Sequence, residues 1–225
     1  MMVLVRAPFL FVLCGLLAGC GSSPPSEQKA QETAPPRQAD DRPVIVAFGN
    51  SLTAGYGVDP GKSYPDFLQQ MIDEAGYEYR VVNAGLSGDT TSGGVERLDS
   101  VIAMKPEIVI LELGPNDGLR GLPLASTRAN LEEMIVRLQA AGARVVLAGM
   151  TLPRNYGPHY IRTFENMYSE LAKKHSLPLI PFLLAGVAEN NLHMQNDRLH
   201  PTVEGNRIVA ANVMKILQPL LVRSR

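Results

Sequence analysis

Five short apolar runs recur along the chain, each separated from the next by enough residues for a helix. Residues 44–48 (VIVAF) contain no polar position, while 108–113 (IVILEL) and 144–147 (RVVL) carry charge only at or near an end. A strand without a polar side has no face to turn toward water, so such runs belong in a parallel sheet covered on both faces. Weaker runs at 79–82 (YRVV) and 177–180 (LPLI) complete the set. Helical spacing of apolar residues fills 64–75, 95–104, 127–140 and 160–175, and a last helix is predicted over 202–217. The alternation predicts an α/β fold of three layers, α/β/α, with a flavodoxin-like five-stranded parallel sheet in the order 2-1-3-4-5.

In sheets of this kind ligands bind beyond the carboxyl ends of the strands, where the loops converge. Four polar, glycine-containing segments fall at those ends: residues 49–53, 85–89, 114–117 and the 151–160 loop. Their shared position on one rim carries more weight than any single segment.

The front of the chain reads differently. Arg6 precedes an apolar stretch over 7–17, and the sequence LAGC ends at Cys20. This pattern is an export signal, too short to be a membrane-spanning helix with ordinary flanks. LAGC also resembles a bacterial lipobox, in which cleavage before the cysteine leaves that cysteine to receive lipid. Residues 1–19 are therefore expected to be a lipoprotein signal peptide, with simple secretion and a retained anchor as the alternatives. Cys20 would be lipidated, and residues 20–42, rich in Pro, Ser, Gln and Ala, would form a flexible tether. The only other cysteine is Cys14, so the exported domain has no internal disulfide and depends on its core. Residues 43–225 are long enough for one such domain. The formal net charge of −1 gives no electrostatic footprint for nucleic acid, and no obligate protein partner is evident.

The segment GNSLTAGYG, residues 49–57, places Ser51 directly after the first apolar run. Serine is a poor nucleophile at neutral pH and needs a base, which in turn needs an orienting group. Of the four histidines only His200, in DRLHP, has an acidic residue three positions before it, Asp197. A serine mechanism also needs donors aimed at the developing oxyanion. Gly88, in LSGDTTSGG, leaves its backbone N–H unobstructed. Asn116, in GPNDG, offers a side-chain amide, and the Ser51 N–H would make a third donor. Taken singly, each residue is equally an ordinary turn or capping residue.

The ordered set GNSLTAGYG, NAGLSGDTTSGG, ELGPNDGLRG and DRLHP resembles the bacterial GDSL/SGNH hydrolases. The likeness is to the group of multifunctional acyl-CoA thioesterase I, lysophospholipase L1 and arylesterase. It extends to RNYGPHY and the final helix. The resemblance implies an SGNH hydrolase fold and cleavage of carboxylic esters or thioesters of acyl or aryl compounds. It implies Ser51, Asp197 and His200 as catalytic residues, Ser51, Gly88 and Asn116 as oxyanion donors, and neither a metal nor an organic cofactor. The implied partner is a small-molecule or lipid-like ester, met at the cell envelope, with the periplasmic face of an outer membrane as one expected place. Leu86, Asn155, Tyr156, Gly157 and Tyr160 are the expected substrate-binding residues. Leu119, Leu122, Met150, Leu152, Leu192 and Met194 are apolar candidates whose ordinary role is packing.

One position departs from the family. Asn50 stands where these hydrolases normally carry Asp beside the serine. Asn keeps the shape and one oxygen acceptor but replaces a charged oxygen by a two-hydrogen donor. Its neighbours must therefore differ, or its amide must face outward. The opposing functional class is a catalytically impaired, membrane-tethered binding or scaffold protein that keeps the fold. Other motifs fail: GKS at 61–63 lacks the earlier glycine of a phosphate loop, Thr53 replaces the last glycine of a nucleophile elbow, and His193 belongs to no HExxH pattern.

Overall fold

The computed structural model describes residues 40–223. The signal, Cys20 and nearly all of the expected tether lie outside these residues. From the amino end the elements are β1 (Val44–Gly49), α1 (Ser51–Ala54), α2 (Tyr64–Glu74), β2 (Arg80–Gly85), α3 (Thr91–Glu96) and α4 (Leu98–Ala103). They continue with β3 (Ile108–Glu112), α5 (Pro115–Leu119), α6 (Leu124–Ala140), β4 (Arg144–Ala148), α7 (Pro158–Lys174), β5 (Leu179–Ile180) and α8 (Val203–Leu217). All five strands are parallel, in the order β2-β1-β3-β4-β5 expected from the apolar runs. Every residue of β1 and β3 is buried, as central strands with both faces covered must be. The edge strand β2 is only half-buried. One helix layer joins α2 to α8; in the other, α6 packs against α3 and α7.

The structure departs from the predicted elements mainly at the rim. Two single-turn helices, α1 and α5, begin immediately after β1 and β3, where the sequence pattern indicates loops. The helix expected over 95–104 is two helices divided at Arg97, whose backbone leaves helical geometry. β5 is shortened to two residues between Pro178 and Pro181, neither of which has an N–H for a ladder. The register pairs Gly49 with both Gly85 and Glu112, so three rim segments start at one level. A side chain at Gly49 would strike Thr53 Oγ1 and the Glu112 carboxylate, which explains why this exit requires glycine.

Candidate active site

Ser51 is the first residue of α1, and the turn that presents it is held from both directions. Asn50 caps the helix, its Oδ1 accepting from the Leu52 N–H at 2.9 Å. The same side chain donates through Nδ2 to Glu112 Oε1 at 2.8 Å, while the Asn50 N–H donates to Glu112 Oε2 at 3.1 Å. Thr53 Oγ1 also donates to Oε2, at 2.9 Å. Asn50 is thus buried with its amide against a carboxylate, so it is the neighbouring network rather than an outward turn that accommodates the substitution. Glu112 is wholly buried. Burial pushes its carboxyl up to about 7, although the hydrogen bonds from Asn50 and Thr53 oppose the shift.

Asp197 and His200 arrive on a loop that leads into α8. An antiparallel bridge between Met194 and Pro201 closes the loop, and the Thr202 N–H donates to the His193 carbonyl at 2.8 Å. Arg198, with φ of 57°, supplies the sharp left-handed bend between them. Gln195 then fastens the loop to the nucleophile segment, donating through Nε2 to the carbonyls of Tyr56 at 2.7 Å and Pro201 at 2.8 Å.

The resulting geometry joins the two ends of the domain. His200 Nδ1 lies 2.6 Å from Asp197 Oδ2, and His200 Nε2 lies 2.8 Å from Ser51 Oγ. Asp197 Oδ1 accepts from the Leu199 and His200 backbone N–H groups at 2.9 and 3.1 Å. Burial alone would raise the Asp197 carboxyl. The bonds from the His200 ring and the two N–H groups outweigh it and hold the carboxyl below its usual range. A carboxylate on one side fixes the tautomer: Nδ1–H donates to Asp197, and Nε2 is left to accept from the serine hydroxyl. The Tyr56 ring leans over His200 at a centroid distance of 4.5 Å.

The glycine and the asparagine expected as oxyanion donors come to the same place. Gly88 has φ of 82°, a conformation that favours glycine, and its carbonyl accepts from Arg120 Nη2 at 2.8 Å. Asn116 spends one amide hydrogen on the Asp89 carbonyl, 2.7 Å away, which fixes the amide plane. Arg97 ties these segments to the sheet. It donates to Asp89 Oδ2 at 2.7 Å, to the Ala84 carbonyl at 2.8 Å and to the Gly49 carbonyl at 2.9 Å, with its guanidinium 4.4 Å from the Phe48 ring centre.

Ser51, Gly88, Asn116 and His200 all line one cavity of about 870 Å³. Its apolar wall comes from Met150, Leu152, Ile161, Phe182, Leu184 and Met194, together with Leu119 and Tyr56. Leu86, Asn155, Tyr156, Gly157 and Tyr160 are not among the lining residues. Leu86 is exposed, and Gly157 forms the turn before α7. The Tyr156 hydroxyl donates to the Leu119 carbonyl at 2.7 Å, and Tyr160 leans on the same loop, 3.4 Å from the Gly118 carbonyl. The tyrosines therefore brace the wall from behind. Leu122 and Leu192 also lie off the lining. The structure adds residues that the sequence pattern did not single out: Glu112 and Arg97 behind the turn, and Phe182, Leu184 and Ile161 in the wall. His193 Nδ1 bonds the Gly186 carbonyl at 3.2 Å and takes no part in the cavity.

The chain is similar to known proteins over most of its length. Residues 47–208 match the model of the GDSL-like Lipase/Acylhydrolase family. Esterase TesA of Pseudomonas aeruginosa is 42% identical over 179 residues, covering 79% of this chain and 89% of that protein. Thioesterase 1/protease 1/lysophospholipase L1 of Escherichia coli strain K12 is 36% identical, covering 79% and 85%. The crystal structure of AlinE4, an SGNH-hydrolase family esterase, is 42% identical with a TM-score of 0.68, covering 80% of this chain and 97% of that one. The match runs through the β1 exit and on into α8, so the chain belongs to the GDSL-like lipase/acylhydrolase family of SGNH esterases.

Proposed function

We propose that the protein is a serine hydrolase that cleaves carboxylic esters or thioesters through a covalent acyl-enzyme, with Ser51 as nucleophile. The observation that carries this reading is the line of short hydrogen bonds from Asp197 through His200 to Ser51 Oγ at the wall of an apolar cavity. His200 Nε2 takes the Ser51 proton as Oγ bonds to the substrate carbonyl carbon. Negative charge gathers on the carbonyl oxygen, where the backbone N–H groups of Ser51 and Gly88 and the free amide hydrogen of Asn116 receive it. The tetrahedral intermediate collapses by breaking the C–O or C–S bond, and the imidazolium returns its proton to the leaving group. A water molecule, deprotonated by the same imidazole, then attacks the acyl carbon; the acyl–Oγ bond breaks, the imidazolium returns the proton to Ser51 Oγ, and the carboxylic acid leaves.

The cavity volume falls in the range of small-molecule sites, and its Met, Leu, Ile and Phe wall suits an acyl chain or aryl group. The relatives named as an esterase and as a thioesterase and lysophospholipase support the same class of substrate. The export signal over residues 1–19, lipid on Cys20 and the tether to residue 42 would hold the domain at the cell envelope. Esters and lysophospholipids of the envelope are then the substrates at hand, rather than intracellular acyl-CoA. No helix among the described residues is long and apolar enough to cross a membrane. The test is hydrolysis of p-nitrophenyl esters of increasing acyl length by native protein and Ser51→Ala. Native protein is expected to turn over with a preference set by chain length, and the variant to lose about 10⁴-fold or more in kcat. Undiminished hydrolysis by Ser51→Ala would move the chemistry to another centre.

A further inference from the structure

Glu112 is a fully buried carboxyl group at the end of β3, and every group that bonds to it belongs to the turn carrying Ser51. Two bonds come from Asn50, the residue before the serine, and Thr53, two residues after it, contributes through its hydroxyl and its backbone. One side chain on the neighbouring strand thus grips the turn on both sides of the nucleophile. The Asn50 N–H and Nδ2 groups are donors only, and Asn50 Oδ1 is committed to Leu52. Only the Thr53 hydroxyl can reverse its role, with the Tyr64 hydroxyl 3.3 Å behind it. A proton on Glu112 therefore removes an acceptor from a site where donors face it, and a buried donor without an acceptor is costly.

We propose that Glu112 is a positioning residue for the reaction: its carboxylate form holds Asn50 and Thr53 so that Ser51 Oγ meets His200 Nε2. The turn is fully competent only when Glu112 has lost its proton. This inference rests on Ser51 being the nucleophile. Burial, by pushing the carboxyl up to about 7, brings that proton into the neutral range. The titratable groups facing it are Tyr64 from α2 and Tyr168 from α7; burial first, and then the Glu112 charge, raises both hydroxyls. The Arg97 guanidinium is spent on Gly49, Ala84 and Asp89 and makes no bond to Glu112.

Asn50 decides what kind of titration this is. Its Nδ2 sits 2.8 Å from Glu112 Oε1. An aspartate there would set oxygen against oxygen, and the two carboxyls would share one proton and titrate as a pair. With Asn50, Glu112 titrates alone.

The experiment measures kcat, KM and their pH dependence from about pH 5 to about pH 9 for native protein, Glu112→Gln, Asn50→Asp and Ser51→Ala. It is joined by infrared difference spectra of the carboxyl band over the same range. In native protein the acid limb is expected to include a step from the loss of the Glu112 proton, matched by the change in the carboxyl band. Glu112→Gln should lower kcat about tenfold with little change in KM and remove the Glu112 step from the acid limb. Asn50→Asp should keep a protonated carboxyl band to higher pH than native protein. A fall in kcat with the native acid limb intact would mark a merely structural role and overturn the proposal. So would a native carboxyl band that does not change across the range, a result readable even where Glu112→Gln does not fold. Activity remaining in Ser51→Ala would overturn the underlying nucleophile assignment instead.

Discussion

His200 has its two ring nitrogens occupied by partners of opposite kind, and Asp197 decides which is which. As a carboxylate Asp197 selects the tautomer with the proton on Nδ1. As an amide, in Asp197→Asn, it would offer a donor as readily as an acceptor, and the ring is free to turn its lone pair away from Ser51. The expected loss is about 10³- to 10⁴-fold in kcat, with KM nearly unchanged, read from steady-state ester hydrolysis. The pH sign follows from the lowered Asp197 carboxyl. A group whose folded pKa is depressed contributes stability above its unfolded value, and that contribution is lost as pH falls through the lower folded value. The orienting charge therefore persists until the pH falls through that lowered value. These residues were legible through the ordered set of blocks that resembles a known family, since each taken singly is equally an ordinary turn or capping residue. Glu112 was not, since its partners are set by the strand register that faces Gly49 toward it, and an acidic residue closing an apolar run looks like the start of a loop.

At the scale of elements, the division of α3 from α4 has a cause that helical periodicity does not carry. Arg97 leaves the helical path, and its guanidinium turns inward to two strand-exit carbonyls and the buried Asp89 carboxylate. The same residue thereby links the β1 exit bearing Ser51, the β2 exit and the loop bearing Gly88. Arg97→Met keeps much of the stem but leaves the Asp89 carboxylate without its cation. It is expected to cost about 3 kcal/mol of stability, measured by urea unfolding, and to lower kcat at temperatures where the variant remains folded. Unchanged stability would contradict this bracing role. The wall of the cavity was only partly legible for a related reason. Tyr156 and Tyr160 have the size and polarity of substrate contacts, yet both turn toward the Gly118–Leu122 backbone. The side chains that do line the cavity, Phe182 and Leu184 among them, follow the two-residue β5 and carry no local pattern that separates them from core residues.

Across the whole molecule, the strand order brings together loops separated by about two-thirds of the chain. Ser51 leaves one central strand, Asn116 follows the other, Gly88 follows the edge strand, and His200 precedes the last helix. The α/β alternation was enough to predict this rim, because parallel strands connected through helices put all their carboxyl ends on one side. The distance of 2.8 Å between Ser51 and His200 depends on the 193–202 loop and its Gln195 fastening, which no periodicity encodes. The central claim is that the first strand's serine is activated by that distant imidazole. It is tested most directly by the rate and site of modification with a serine-directed fluorophosphonate, read by peptide mass spectrometry in folded native protein and in His200→Ala. The account predicts a single adduct on Ser51 in native protein and a rate about 10³-fold lower without the imidazole. Absence of the Ser51 adduct, or an equal rate in the two proteins, would contradict it.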